Sequence, residues 1–186
     1  MTRLVLFTRF ARAGLAKTRL AKDLGAVRAA QLQRQMTQRI QRQAWRAGFS
    51  ALDLLWADLP AHMRGRRQVL GDLGGRMAKG LQGPGPILLM GTDLPLVDKQ
   101  DLQVLRLALQ SHPYVMAPAT DGGFWAIGLR SAGLFPRLTN ALQAHLDGAG
   151  MVQALGPNRL FLGPTRDDCD DVNDYLRLGL AGGLRG

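Results

Sequence analysis

The stretch Ile87-Leu88-Leu89-Met90-Gly91-Thr92-Asp93-Leu94-Pro95 decides how this chain is read. Four apolar residues in a row, with no polar alternation, describe a strand buried on both faces, as in a parallel sheet covered by helices. A carboxylate directly after such a strand is costly to desolvate unless something pairs with it. Two partners fit Asp93: a divalent cation bridging phosphates, since hard cations take carboxylate oxygen, or the backbone donors at the start of the next helix. We assign the metal to Asp93 and the helix cap to Asp98.

Working outward, residues 4–10 (LVLFTRF) read as a first buried strand. Residues 51–56, 114–117, 124–129 and 160–162 read as further strands. Helical periodicity marks residues 26–45, where Leu32, Met36, Ile40 and Ala44 recur at four-residue intervals opposite an arginine-rich face. Helices are also expected over residues 73–81, 98–110, 139–147 and 172–180, the last followed by a glycine-rich tail that should fray. Residues 64–67 read as a basic loop, and Gly83-Pro84-Gly85-Pro86 as a rigid turn. Alternating strands and helices imply an α/β fold with three α/β/α layers and a mostly parallel, mixed sheet. Ligands of such sheets bind beyond the carboxyl ends of the strands.

The chain has 186 residues, of which 46% are hydrophobic and 20% charged, enough for one packed core; a single domain over residues 1–186 is expected. One cysteine, Cys169, cannot form an internal disulfide and fits a reducing cytoplasm. Arg9 interrupts the N-terminal apolar run, which argues against an export signal. No stretch approaches the length of a membrane span. Twenty-four Lys and Arg against fourteen Asp and Glu leave a net charge of +10, which attracts polyanions or phosphorylated small molecules without saying which.

Three further clusters fall at strand ends. Arg9, Arg12, Gly14, Lys17, Thr18 and Arg19 follow the first strand. A flexible glycine among cations ahead of a helix makes a phosphate cradle, although an exposed basic turn has the same composition and the P-loop spacing is absent. In the segment Asp167-Asp168-Cys169-Asp170-Asp171 four carboxylates crowd together. They repel unless a metal or arginine relieves them, and Asp171 is the best candidate to cap the last helix. In Thr120-Asp121-Gly122-Gly123 the glycines permit close backbone approach. Asp121 can accept sugar hydroxyls or act as a base; the same residues make an ordinary hairpin turn.

In this order the clusters resemble a known family. Residues 4–25 (LVLFTRFARAGLAKTRLAKDLG), GDLGGRMAKGL (71–81), GTDLP (91–95), PATDGGFWAIGL (118–129) and the acidic block at 168–175 are similar to motifs of small bacterial glycosyltransferase-A-like proteins. Some of these are termed selenodomain-associated or arsenosugar-biosynthesis glycosyltransferases. Arg9 stands where the family has Lys, Ala11 and Ala13 replace its prolines, and its W-S-T-like segment is missing. The resemblance implies the nucleotide-diphospho-sugar transferase (GT-A) fold, shared with molybdenum-cofactor and phospholactate guanylyltransferases. It implies Asp93 and Asp170 as ligands of Mg²⁺ or Mn²⁺, and Arg9, Gly14, Lys17 and Arg19 around the nucleotide phosphates. Asp121, Gly122 and Gly123 would face the sugar or acceptor, with Asp93 and Asp121 as the catalytic pair.

The expected activity is therefore metal-dependent transfer from a nucleotide-diphospho-sugar. Nucleotidylyl transfer to a phosphorylated or cofactor acceptor is the alternative. A nucleic-acid-binding module using Arg28, Arg34, Arg42 and Arg46 is the rival from another class; 6% aromatic content and the lack of a recognised binding motif weigh against it.

Overall fold

The structure, a computed structural model, describes residues 1–183; the last three residues of the glycine-rich tail lie outside the described residues. The strands are β1 (Arg3–Thr8), β2 (Ala51–Trp56), β3 (Arg66–Arg67), β4 (Ile87–Gly91), β5 (Tyr114–Pro118), β6 (Phe124–Leu129) and β7 (Leu160–Leu162). The helices are α1 (Thr18–Leu24), α2 (Ala26–Arg46), α3 (Leu73–Gly80), α4 (Lys99–Ser111), α5 (Phe135–Gln143), α6 (Gly148–Leu155) and α7 (Val172–Arg177).

All seven strands join one sheet in the order β3-β2-β1-β4-β6-β5-β7. β6 runs antiparallel to both neighbours, and every other pairing is parallel. The apolar runs are continuous because both faces of the sheet are covered. Leu88 and Met90 pack with Leu4, Leu6, Ile40 of α2 and Leu105 of α4. Their alternates Ile87 and Leu89 pack with Val5, Met77 of α3, Leu138 of α5 and Met151 of α6 on the other face. Successive side chains of a strand point to opposite faces, so a strand between two helix layers keeps no polar position. Gly74 lets α3 sit against α5: a Cβ there would lie 2.2 Å from the Leu142 carbonyl oxygen.

The chain leaves β1 toward β2 and β3, then returns through α3 to β4 on the opposite side of β1. That reversal opens a crevice at the carboxyl ends of β1 and β4, and it places Arg9 and Asp93 there.

Several elements differ from the sequence reading. α1 follows directly on the basic turn, ahead of the helix expected from residue 26. β3 forms where a loop was expected, paired with the end of β2. The helix expected over residues 139–147 is two helices. His145, with φ of +52°, breaks the run, and Asp147 caps α6 by accepting the Gly150 N–H at 2.7 Å; aspartate favours that capping position over a helix interior. α5 instead begins at Phe135, with Pro136 in its first turn. The closing helix ends at Arg177, before Gly179 in the left-handed conformation (φ +67°). Among the described residues no helix is long and apolar enough to cross a membrane.

Candidate active site

β4 delivers Asp93 to the crevice on a short turn held from below. The Thr92 hydroxyl donates to Thr8 Oγ1 (2.7 Å) and accepts from Gln33 Nε2 (3.1 Å), and Thr8 is in hydrogen-bond contact with Thr37 (3.2 Å). These buried groups rivet β1, α2 and β4 together directly under Asp93. Such a network is rigid when its members are satisfied.

The acidic segment comes to Asp93 from the other end of the chain. The Cys169 N–H donates to the Asp93 carbonyl (2.9 Å). Cys169 is fully buried against Leu20, Met36 and Tyr175, and Asp168 and Asp170 flank it. One oxygen from each of Asp93, Asp168 and Asp170 lies within 4.8 Å of the others. Three carboxylates offering hard oxygen at that separation have the composition of a Mg²⁺ or Mn²⁺ site. Capping boxes at Asp98–Asp101 and Asp171–Asp174 start α4 and α7, so Asp98 and Asp171 serve as caps.

The cationic loop closes on the same group. Lys17, in the left-handed conformation (φ +49°, ψ +52°), places Nζ 2.9 Å from Asp170 Oδ1 and 3.7 Å from Asp93 Oδ2. Arg19 pairs with Asp170 Oδ2. Lys17 and Arg19, expected around phosphates, thus sit beside the carboxylates. Arg9, Lys17, Arg19, Asp93, Asp121, Gly123, Asp168 and Asp170 all line one crevice of about 660 Å³. Gly14 and Gly122 are not on its wall; with φ of +82° and +91° they shape the turns that present Lys17 and Asp121. Asp121 is exposed and accepts the Gly123 N–H at 2.9 Å.

Electrostatics single out Asp168, which the sequence reading left outside the ligand pair. Its carboxyl is held above the ordinary value of 3.8, first by burial and then by the charges of Asp170, Asp93 and Asp121; it has no ion pair among the described residues. A two-residue spacing to Asp170 puts both side chains on one side of an extended chain, but that spacing alone does not set Asp168 apart from its neighbouring carboxylates. The Cys169 thiol is pushed up to about 11, chiefly by burial rather than by the surrounding carboxylates. Asp167 is held low by the Thr120 hydroxyl (2.5 Å) and by Arg177 (2.9 Å). This clamp joins the Asp121 hairpin to the acidic segment, and nothing in the sequence marked it.

A stability test follows. A carboxylate whose folded pKa is raised binds more protons folded than unfolded, so its penalty is absent below about pH 3.8 and grows as pH rises through the folded value. Without added metal, Asp168→Asn is therefore expected to melt a few degrees higher than wild type at neutral pH, with the gap closing toward acid. An unchanged or lower melting temperature at neutral pH would contradict the crowding seen here.

Comparison with solved structures supports the fold. A Desulfovibrio desulfuricans G20 protein provisionally described as a nucleotide-diphospho-sugar transferase superposes with a TM-score of 0.83 at 24% identity, over 97% of this chain and 87% of that one. A nucleotidyl transferase from Methanothermobacter thermautotroptrophicus gives 0.57 at 15% identity, over 96% and 95% of the two chains. Rv0371c of Mycobacterium tuberculosis H37Rv, in complex with manganese, gives 0.53 at 21% identity over 95% and 96%. The chain thus has the α/β fold that the nucleotide-diphospho-sugar transferases and nucleotidyl transferases share. No curated protein matches it. Residues 26–145, which carry Asp93 and Asp121, match a family described as an uncharacterized protein conserved in bacteria, and this chain belongs to that family, DUF2064.

Proposed function

We propose that this chain is a metal-dependent transferase acting on a nucleotide-diphospho-sugar donor, with residues 1–186 working as one catalytic unit. The observation that carries this reading is the convergence of Asp93, Asp168 and Asp170 within 4.8 Å, beside Lys17 and Arg19, at the carboxyl ends of the parallel strands β1 and β4. Asp93, Asp168 and Asp170 would hold Mg²⁺ or Mn²⁺. When bound, such an ion offsets charge on the diphosphate oxygens and stabilises it as a leaving group.

The chain's own groups do the rest. Arg9, Lys17 and Arg19 supply the cations that draw the diphosphate into the crevice and hold it. Lys17 and Arg19 restrain Asp170, so the carboxylates are ordered before a ligand arrives. Asp121, exposed on the hairpin, is placed to accept the hydroxyl proton of an acceptor. Gly123 offers no side chain to obstruct it.

Nucleotidylyl transfer is the second reading, because the same cations would hold a triphosphate. Product analysis separates the two. With Mn²⁺ and a panel of nucleotide sugars, release of nucleoside diphosphate is expected; pyrophosphate released from nucleoside triphosphates instead would favour the second reading. If neither Mn²⁺ nor Mn²⁺ with pyrophosphate raised the melting temperature, both readings would fall, since a ligand that prefers the folded state must stabilise it.

A further inference from the structure

The GDLGGRMAKGL segment has no part in the chemistry above, yet it forms one arm of the same crevice. Its Leu73 and Met77 line the crevice together with Phe7 of β1 and Leu89 of β4. Two polar side chains, Gln68 and Arg76, line the crevice beside them. Gln68 follows β3 and is fixed at both ends of its amide: Nε2 donates to the Leu55 carbonyl (3.0 Å), and Oε1 accepts from Arg76 NH1 (3.0 Å). Arg76 Nε donates in turn to the Asp72 carbonyl (3.3 Å) at the start of α3. The half-buried guanidinium is thus oriented by two neutral acceptors. It forms no ion pair among the described residues, and its NH2 group has no acceptor there.

Apolar side chains beside an oriented, donor-only group suit a planar ring that presents acceptors at its edge. Guanidinium donors pair with acceptor groups: the carbonyl oxygen and ring nitrogen of guanine (O6/N7) or cytosine (O2/N3), and the carbonyl oxygens of uracil. Adenine presents an amino group beside its ring nitrogen, so one of its edge groups would meet a donor with a donor. We propose that Arg76, oriented by Gln68, reads the nucleobase of the donor. It selects bases with a ring carbonyl (guanine, uracil or cytosine) over adenine. This rests on the reading of the crevice as a nucleotide site and narrows it to a substrate class.

The test uses the full chain with Mn²⁺. GDP, UDP, CDP, ADP and inorganic pyrophosphate are titrated by calorimetry into wild type and into Arg76→Met, which keeps the apolar stem. At least one carbonyl-bearing diphosphate should bind wild type about tenfold or more tighter than ADP. Arg76→Met should bring that ligand to the ADP level while leaving ADP and pyrophosphate within about twofold. ADP binding wild type as tightly as the others would overturn the proposal without any variant. So would an equal loss of pyrophosphate in Arg76→Met, which would make Arg76 a phosphate ligand. Pyrophosphate failing to bind wild type at all would instead sink the reading of the whole crevice, and this proposal with it.

Discussion

Asp93→Asn is expected to abolish Mn²⁺-dependent binding of a nucleoside diphosphate and to weaken Mn²⁺ itself by more than the roughly 10–100-fold that loss of an outer partner of a metal site costs. Asparagine keeps the shape but supplies a neutral, weaker oxygen to the ion. The Asp93 side chain is 41% exposed and its nearest cation, Lys17, is 3.7 Å away. Removing its charge therefore leaves little that the fold depends on, and a lost titration reports on the site rather than on unfolding. Asp168→Asn should share the loss of Mn²⁺ affinity while gaining stability without metal. That opposition of sign is a signature that a merely structural carboxylate would not produce. Wild-type Mn²⁺ affinity in Asp93→Asn would remove this residue from the ligand set.

Asp101→Asn should cost about 3 kcal/mol of folding stability, toward the lower end of what breaking a buried ion pair costs. Asp101 is only 5% exposed. It receives Arg166 on both oxygens, with Nε at 2.9 Å and NH2 at 2.5 Å, and its Oδ2 also accepts the Asp98 N–H at 3.1 Å. Arg166 is 36% exposed and can turn partly to water, which keeps the cost from the top of the range. Urea denaturation should show an earlier midpoint at unchanged slope. A second effect follows from the segment that Arg166 anchors. Its N–H donates to the Pro118 carbonyl and its carbonyl accepts the Thr120 N–H (3.2 and 3.3 Å), just ahead of Asp168 and Asp170. Mn²⁺ affinity should fall along with stability. A shift of less than about 1 kcal/mol, the scale of an ordinary surface pair, would mean that the pair is not a structural anchor.

Much of the fold was legible because strand burial leaves a plain mark. ILLM and LVLF read as buried strands since no polar residue interrupts them, and α2 read as a helix from its four-residue apolar interval. The short elements were not legible. α1 has no side-chain cap and β3 is two residues long, so each exists through its neighbours rather than its own pattern. The break between α5 and α6 turns on the backbone of His145, where two moderate helical signals blur into one.

In the candidate site, Asp93, Lys17, Arg19 and Asp170, which the structure brings together, are singled out in the sequence by their order along the chain and a family resemblance. Asp168 could not be separated from the other carboxylates beside it. Asp171, Asp174 and Asp167 are chemically identical to it, and only packing decides which become caps, which pair with Arg177, and which are left crowded and facing the crevice.

By itself the sequence determined the class of fold, the strands that carry it and the residue types that gather at their ends, because burial and periodicity are local properties. Only the tertiary structure decided that Asp93 and the 168–170 segment, some 75 residues apart, share one site, that Lys17 faces them, and that Gln68 turns Arg76 into the same crevice. Those facts depend on where the chain reverses across β1, and the side chains that meet there carry no common pattern along the sequence.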